Sequence, residues 1–532
     1  MKMTKILAVL LFVPCLSLLT QPARAREPFS VHALVGGQVV TAPGVEPVVA
    51  TVVVREGVID AVGAPEQIAV PPEARVWAVD GLTIYPGFVE ACWEQEWPEE
   101  REPPPGAHDN PSVRPERQMA RVAPEKDAVQ ALREAGFTTA LMVPKAGVFR
   151  GQAALLQLAD GSILEPRGPQ VLAFETTRRQ YPASLMGAVA LIRQTFLDAA
   201  WYGQARAAYT RNPAQARPSY SAALETLHAA VTGGQPFFVV TEDALSSVRA
   251  TRLARELRLP AVLVGNGQEY QWLTVLRQAQ PERPFPVILP LNFPEAPDVG
   301  TEGAAPGISL GELRHWDQAP DNPRAVAAAG FPVAFTSHGL KKPADLFPAV
   351  VRAIDQGLSP ADALAALTTE PARILGLENR AGTLRQGKAA NLLLVEGALW
   401  VDRPVIREVW IEGRRFAVSE AEPAAGLKPA DVAGAWQLEI AGGEPVILVL
   451  REPEGDAQDP LAGTLIANGI EVPLSAVTLD GRQLTLEYDG AAVGHPGTVT
   501  LNLEVEGDRL KGEGEGPGGT FPVTGERGPS LP

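Results

Sequence analysis

The chain is predicted to be an α/β protein built on a (β/α)8 barrel, with β-rich segments on both sides of the barrel and a separate all-β domain after it. Three observations lead there. Across residues 81–372 short apolar runs alternate with helical patterns, the order that builds a barrel of parallel strands. Val-rich runs broken by Gly and Pro at hairpin spacing fill residues 30–81, and a second β-rich stretch closes the segment that ends near residue 416. Beyond a Pro- and Ala-rich linker at residues 419–430, runs such as WQLEI, VILVL, LTLEY and TVTLNLEVEG alternate in polarity, which predicts a small barrel or sandwich over residues 431–527.

The N-terminus carries Lys2 and Lys5, an apolar run over residues 6–19, and Ala23-Arg24-Ala25 before Arg26. That is the layout of an export signal spanning residues 1–25, too short to be a membrane span, and it places the mature chain in the periplasm or outside the cell. Loss of the signal removes three cations and no acid, so the formal charge moves from -16 to -19. A body this acidic opposes nucleic acid and anionic membranes. Of the two cysteines, Cys15 leaves with the signal, so Cys92 has no partner for an intrachain disulfide.

Strands are predicted at residues 84–89, 138–143, 153–158, 170–174, 237–241, 261–264, 287–291 and 333–336. Helices are predicted at 125–134, 186–207, 219–231, 244–257 and 344–356. In such a barrel the chemistry sits at the C-terminal ends of the strands. No G-x-S-x-G, P-loop or dinucleotide fingerprint is present, and none of the six histidines shows H-x-H or H-E-x-x-H spacing.

The first strand, IYPGFVEACWE at residues 84–94, ends in the expected mouth. Through Pro86, Gly87, Phe88, Val89, Glu90 and Ala91 it resembles the first barrel strand of the metal-dependent amidohydrolases, which ends in His-x-His. GGQVV, REGVIDAVG and DG within residues 30–81 are similar to the N-terminal half of that family's β-sandwich. TTEPARILGL, AGTLRQGKAANLLLV and VWIEGR, toward residue 416, resemble its closing helix and last strands. The resemblance implies an amidohydrolase-type TIM barrel at residues 81–372 and a small composite β-sandwich made from residues 29–80 and 373–418. The C-terminal domain resembles lipocalin-like modules. HDNPSVRPERQMA, AGFTTALMVPKAGVFRGQAAL and LRHWDQAPDNPRAVAAAGFPVAFTS look like exported relatives of imidazolonepropionases, some of which fuse a metal-deficient unit to a ligand-bearing one.

In that family, histidines and a carboxylate at the first, fifth, sixth and eighth strands hold zinc, which activates a water for attack on an amide or ester carbon. The matching positions here are Cys92 and Glu94, Thr241, Gly265 and His338, none of them the family's residue type. Cys92, Glu94, His338 and Asp243 are zinc-binding types that would share the mouth, but a site needs three or four ligands converging at about 2.0–2.3 Å. They are therefore expected to be ordinary polar mouth residues, with no metal cofactor. Lys145 follows the second strand, not the fourth, and is expected to be a loop cation.

Three functional readings follow. The first is a pseudoenzyme that acts by binding, as partner subunit of a metal-bearing amidohydrolase paralogue. The second is a hydrolase of carbon-nitrogen bonds in cyclic amides. The third is a periplasmic small-ligand-binding protein, with Trp93, Tyr181 and Trp316 as aromatic contacts.

Overall fold

The computed structural model describes residues 31–98, 102–280, 282–297, 308–418, 429–440, 446–451, 461–467, 469–480, 483–493, 497–506, 509–516 and 519–528. The export signal expected at residues 1–25 and residues 419–428 of the expected linker lie outside them. The chain divides into two compact units, Met1–Val418 and Ser419–Pro532.

Seven short strands come first: β1 (Val31–Val35), β2 (Gln38–Val39), β3 (Val48–Val49), β4 (Thr51–Arg55), β5 (Val58–Gly63), β6 (Arg75–Ala78) and β7 (Leu82–Pro86). Their β-branched composition suits a pleated, half-buried surface. β5, β4, β1 and β6 make one sheet in that order, and β3, β2 and β7 begin a second.

The next strand, β8 (Phe88–Gln95), starts only after a break at Gly87. The position requires glycine, because a Cβ on Gly87 would lie 2.3 Å from Thr138 Cγ2, and the break lies where the chain changes partner from β18 to β9. The strand predicted over residues 84–89 is thus two strands, and residues 84–86 belong to the sandwich.

From β8 the chain builds a wall of strands backed by helices. In order come α1 (Lys126–Glu134), β9 (Phe137–Pro144), β10 (Phe149–Gln152), β11 (Ala154–Gln157), β12 (Ile163–Glu165) and β13 (Gln170–Ala173). There follow α2 (Leu185–Arg211), α3 (Ala222–Thr232), β14 (Phe237–Val240), α4 (Ala244–Glu256), β15 (Ala261–Val264), α5 (Leu273–Gln278) and β16 (Val287–Pro290). α6 (Leu310–Gln318), α7 (Asn322–Ala328), β17 (Val333–Thr336), α8 (Leu346–Asp355), α9 (Pro360–Leu367) and α10 (Thr369–Ile374) complete it. β8 pairs with β9 in parallel, and β13 through β17 pair in parallel in sequence order.

The third predicted strand, over residues 153–158, needs correction in direction. β11 runs antiparallel to β9, and β10 runs antiparallel to β13. Only residues 145–148 separate β9 from β10, and a parallel return needs a crossover of about a dozen residues or more. The chain therefore turns back on itself and fills the third place upside down.

Both faces of the wall are buried, so its strands read as continuous apolar runs. Ala91, Leu141, Val171, Phe238, Val262, Ile288 and Ala334 share one cluster with Cys92, drawing on each parallel strand of the wall. Alternate residues such as Phe137, Leu172, Phe237, Leu263 and Phe335 join the cluster that the helices cover.

After α10 the chain returns to the sandwich through β18 (Leu392–Glu396), β19 (Val405–Ile411) and β20 (Arg414–Ala417). β18 pairs antiparallel with β7, Leu392 opposite Pro86. The finished sheet reads β20-β19-β18-β7-β2-β3, a composite of both ends of the unit. Val52, Val54, Ile59, Ile84, Leu392 and Trp410 fill the space between the two sheets.

The described part of the second unit begins with a short helix, α11 (Pro429–Val432). Eight strands follow: β21 (Gly434–Ile440), β22 (Val446–Arg451), β23 (Ala462–Ala467), β24 (Ile470–Asp480), β25 (Gln483–Asp489), β26 (Thr498–Glu506), β27 (Arg509–Gly516) and β28 (Gly519–Arg527). They form a closed antiparallel barrel in which β28 pairs with β21. Closure leaves no open edge. The indole N–H of Trp436 donates to the Val432 carbonyl at 2.9 Å, and Arg527 lies 4.4 Å over the Trp436 ring. The interior is filled by side chains including Trp436, Leu448, Leu484, Leu501 and Leu503.

Candidate functional site

Glu90 ties the first strand of the wall to the last. Its carboxylate is fully buried. Oε1 accepts from the Cys92 backbone N–H at 2.9 Å and from the Thr336 hydroxyl at 2.5 Å. Oε2 accepts from the Ser337 backbone N–H at 2.8 Å and from its hydroxyl at 2.7 Å. Four donors leave no unsatisfied oxygen in a place where one would be costly. Since β17 ends at Thr336, this clasp also fixes where Ser337 and His338 leave the wall.

Glu94 lies four residues further along β8 and meets a cation. Its Oε1 accepts from Arg150 Nη1 at 2.8 Å, with the two side chains only 10% and 8% exposed. His338 Nδ1 lies 3.6 Å from the other oxygen, and Glu175 Oε2 lies 3.8 Å from Arg150 Nη2. The Gly147 N–H donates to Glu175 at 2.8 Å, which holds that carboxylate in place. The structure thus brings Glu94 and His338 together as expected for one mouth, and adds Arg150 and Glu175. Arg150 stands on β10, and the reversed direction of that strand is what delivers it to the mouth.

Cys92 is buried beneath these charges. Burial pushes its thiol well above the ordinary cysteine range, the carboxylates of Glu94 and Glu90 push further the same way, and Arg150 opposes them. Without a metal the side chain is a neutral thiol, and any metal bound there would have to displace its proton.

At the fifth and sixth strand ends a hydrogen-bonded network occupies the positions named as ligand sites. Thr241 donates to the Val264 carbonyl at 2.9 Å, and Asn266 Nδ2 reaches Thr241 Oγ1 at 3.1 Å and Ser247 Oγ at 3.2 Å. The Asn266 N–H donates to Glu269 Oε1 at 2.8 Å, and Asn322 Nδ2 to Oε2 at 2.8 Å. Burial raises the Glu269 pKa, against these hydrogen bonds, which lower it. A Cβ at Gly265 would come within 2.5 Å of Glu269 Oε1, so no ligating side chain fits there while Glu269 keeps its place.

The remaining candidates stand apart. Asp243 caps α4, accepting from the Ser246 N–H at 2.6 Å. Lys145 pairs with Glu96 at 3.0 Å, and both are largely exposed, as suits a loop cation. Trp93 alternates with Cys92 on β8 and packs away from the mouth, beside Met119 and Met142. Tyr181 is 54% exposed and donates to the Gly187 carbonyl at 3.0 Å, and Trp316 is 37% exposed on α6. No described contact joins the three aromatics into one lining.

The fit to a metal centre is poor on chemical grounds. The carboxylate at the first-strand position is engaged by a guanidinium, the thiol is kept protonated, and two strand ends offer an engaged hydroxyl and a glycine. Among the described residues, no group of three or more His, Cys, Asp and Glu side chains is placed to hold an ion.

Residues 328–417 match the sequence profile of the amidohydrolase family. Among solved structures the chain is similar to an amidohydrolase from Thermotoga maritima MSB8, at 21% identity and a TM-score of 0.60, over 72% of this chain and 99% of that one. It also matches molinate hydrolase at 16% identity and a TM-score of 0.44, over 74% of this chain and 96% of that one. Among curated proteins none matches the chain.

Proposed function

We propose, from the premise that this chain is an amidohydrolase relative in its fold and through residues 328–417, that it acts by binding and not by metal-assisted hydrolysis. One observation carries the reading. The Arg150–Glu94 ion pair, at 2.8 Å and nearly buried, puts a resident cation at the strand end where the resemblance seats the first metal ligands. A guanidinium is charged at every physiological pH and cannot polarise a water as zinc does. His338 and Glu175, each about one-third exposed, are the accessible members of the cluster, so they offer the hydrogen bonds for a polar ligand at the mouth.

The rival reading is hydrolysis of carbon-nitrogen bonds in cyclic amides. Purified protein is expected to retain less than stoichiometric zinc after dialysis and to leave hydantoins, lactams and dipeptides intact with or without added zinc. Zinc-dependent turnover that disappears in Glu94→Ala or His338→Ala would establish the hydrolase instead. We propose further, from residues 1–25 alone, that the chain is exported. N-terminal sequencing of protein recovered outside the cytoplasm should begin at Arg26.

A further inference from the structure

The outward side of α2 is apolar where a helix facing water should be polar. Met186, Leu197 and Trp201 are 82%, 64% and 61% exposed. With Ala190 they recur at intervals of four, seven and four residues. At about 100° per residue, all four side chains therefore leave the helix within about 60° of one another. One more exposed ring adjoins the strip: Tyr181, 54% exposed, is held to the first turn by its hydrogen bond to the Gly187 carbonyl.

We propose that this face joins two copies of the chain through an antiparallel, two-fold symmetric pairing of α2 with α2. A two-fold contact sets the same patch against itself, so the pattern must read alike in both directions. The four-seven-four spacing does. It sets Ala190 against Leu197 of the second copy, small against large, and Met186 against Trp201, a flexible thioether against a ring.

Area and charge agree. Taking about 200 Å² for each large side chain, the four exposed residues Met186, Leu197, Trp201 and Tyr181 offer on the order of 500 Å² per copy, the larger part of the roughly 800 Å² per partner of a stable interface. The midpoint of the pattern falls at Arg193 and Gln194, and Arg193 is held in a two-pronged pair with Glu256 of α4 at 2.8 and 2.7 Å. Each copy thus presents a neutral pair near the axis, and each guanidinium can face the other copy's carboxylate despite the net charge of -16.

Light scattering after gel filtration and sedimentation velocity on the mature full-length chain test this. The wild type is expected to be a dimer, with Leu197→Glu and Trp201→Glu each weakening it at least tenfold while leaving the far-UV circular-dichroism spectrum unchanged. Oxidation of Gln194→Cys, at the midpoint, should give a disulfide-linked dimer, and Gln204→Cys should not. A wild-type monomer, a dimer indifferent to both glutamates, or a face that captures only a metal-bearing amidohydrolase chain would overturn the pairing. None of these readouts involves zinc or turnover, so a failure here leaves the proposed function standing or falling on its own test.

Discussion

At the level of single side chains, Glu90 governs the mouth more than any position named from the family pattern, because four donors converge on its carboxylate. Glu90→Ala would strand the Cys92 and Ser337 N–H groups and the Ser337 hydroxyl, each orphan costing about 1–3 kcal/mol, while the Thr336 hydroxyl keeps the Cys92 carbonyl at 3.0 Å as acceptor. Urea unfolding should therefore show a loss of about 3 kcal/mol or more, without loss of the C-terminal barrel. Cys92 gives a second check: as a buried neutral thiol it should resist iodoacetamide in the native protein and react once urea unfolds the first unit. Glu269 gives a third. Its folded pKa stands above its unfolded value, so its contribution is full below the ordinary carboxylate range and falls away as pH rises through the raised value. Stability measured from about pH 4 upward should lose this downward slope in Glu269→Gln, whatever that variant loses overall. The motif at residues 84–94 made Cys92 and Glu94 legible in the sequence. Glu269 was not, since its partner Asn322 lies 53 residues away and only folding brings them together.

At the level of elements, strand placement was readable from apolar runs, and strand direction was not. Residues 153–158 read as a strand by composition, and β11 is one, but the four-residue gap after β9 decides that it runs backward. Arg150 was missed because it lies before the start of the expected strand at residue 153, on β10, and a parallel strand there would have put that end far from the mouth. The gap was visible in the sequence and was the signal that could have found it. Gly87 makes the complementary point: the Pro-Gly pair was seen, but its job of handing the chain from sandwich to wall depends on Thr138, a distant residue. Gly87→Ala should drive a methyl into a fully buried Thr138, and overpacking of that kind costs about 1–3 kcal/mol, readable as a lower thermal midpoint of the first unit.

At the level of the whole molecule, the two units carry separate hydrophobic cores, that of Ser419–Pro532 lying inside its own closed barrel. An isolated segment from residue 429 to the end should therefore give a single cooperative transition in the range where the full chain shows one of two, and a segment that stays unfolded alone would show that the barrel borrows stability from the first unit. The first unit offers no such division, because β7 and β18 lie side by side in one sheet although 305 residues separate Pro86 from Leu392. That adjacency sets a clock on synthesis. A ribosome adding about 5–20 residues per second needs on the order of 15–60 s to pass from one strand to the other. Through that interval β7 has an open edge and the sandwich cannot close, so the nascent first unit stays loose until its last strands have been made.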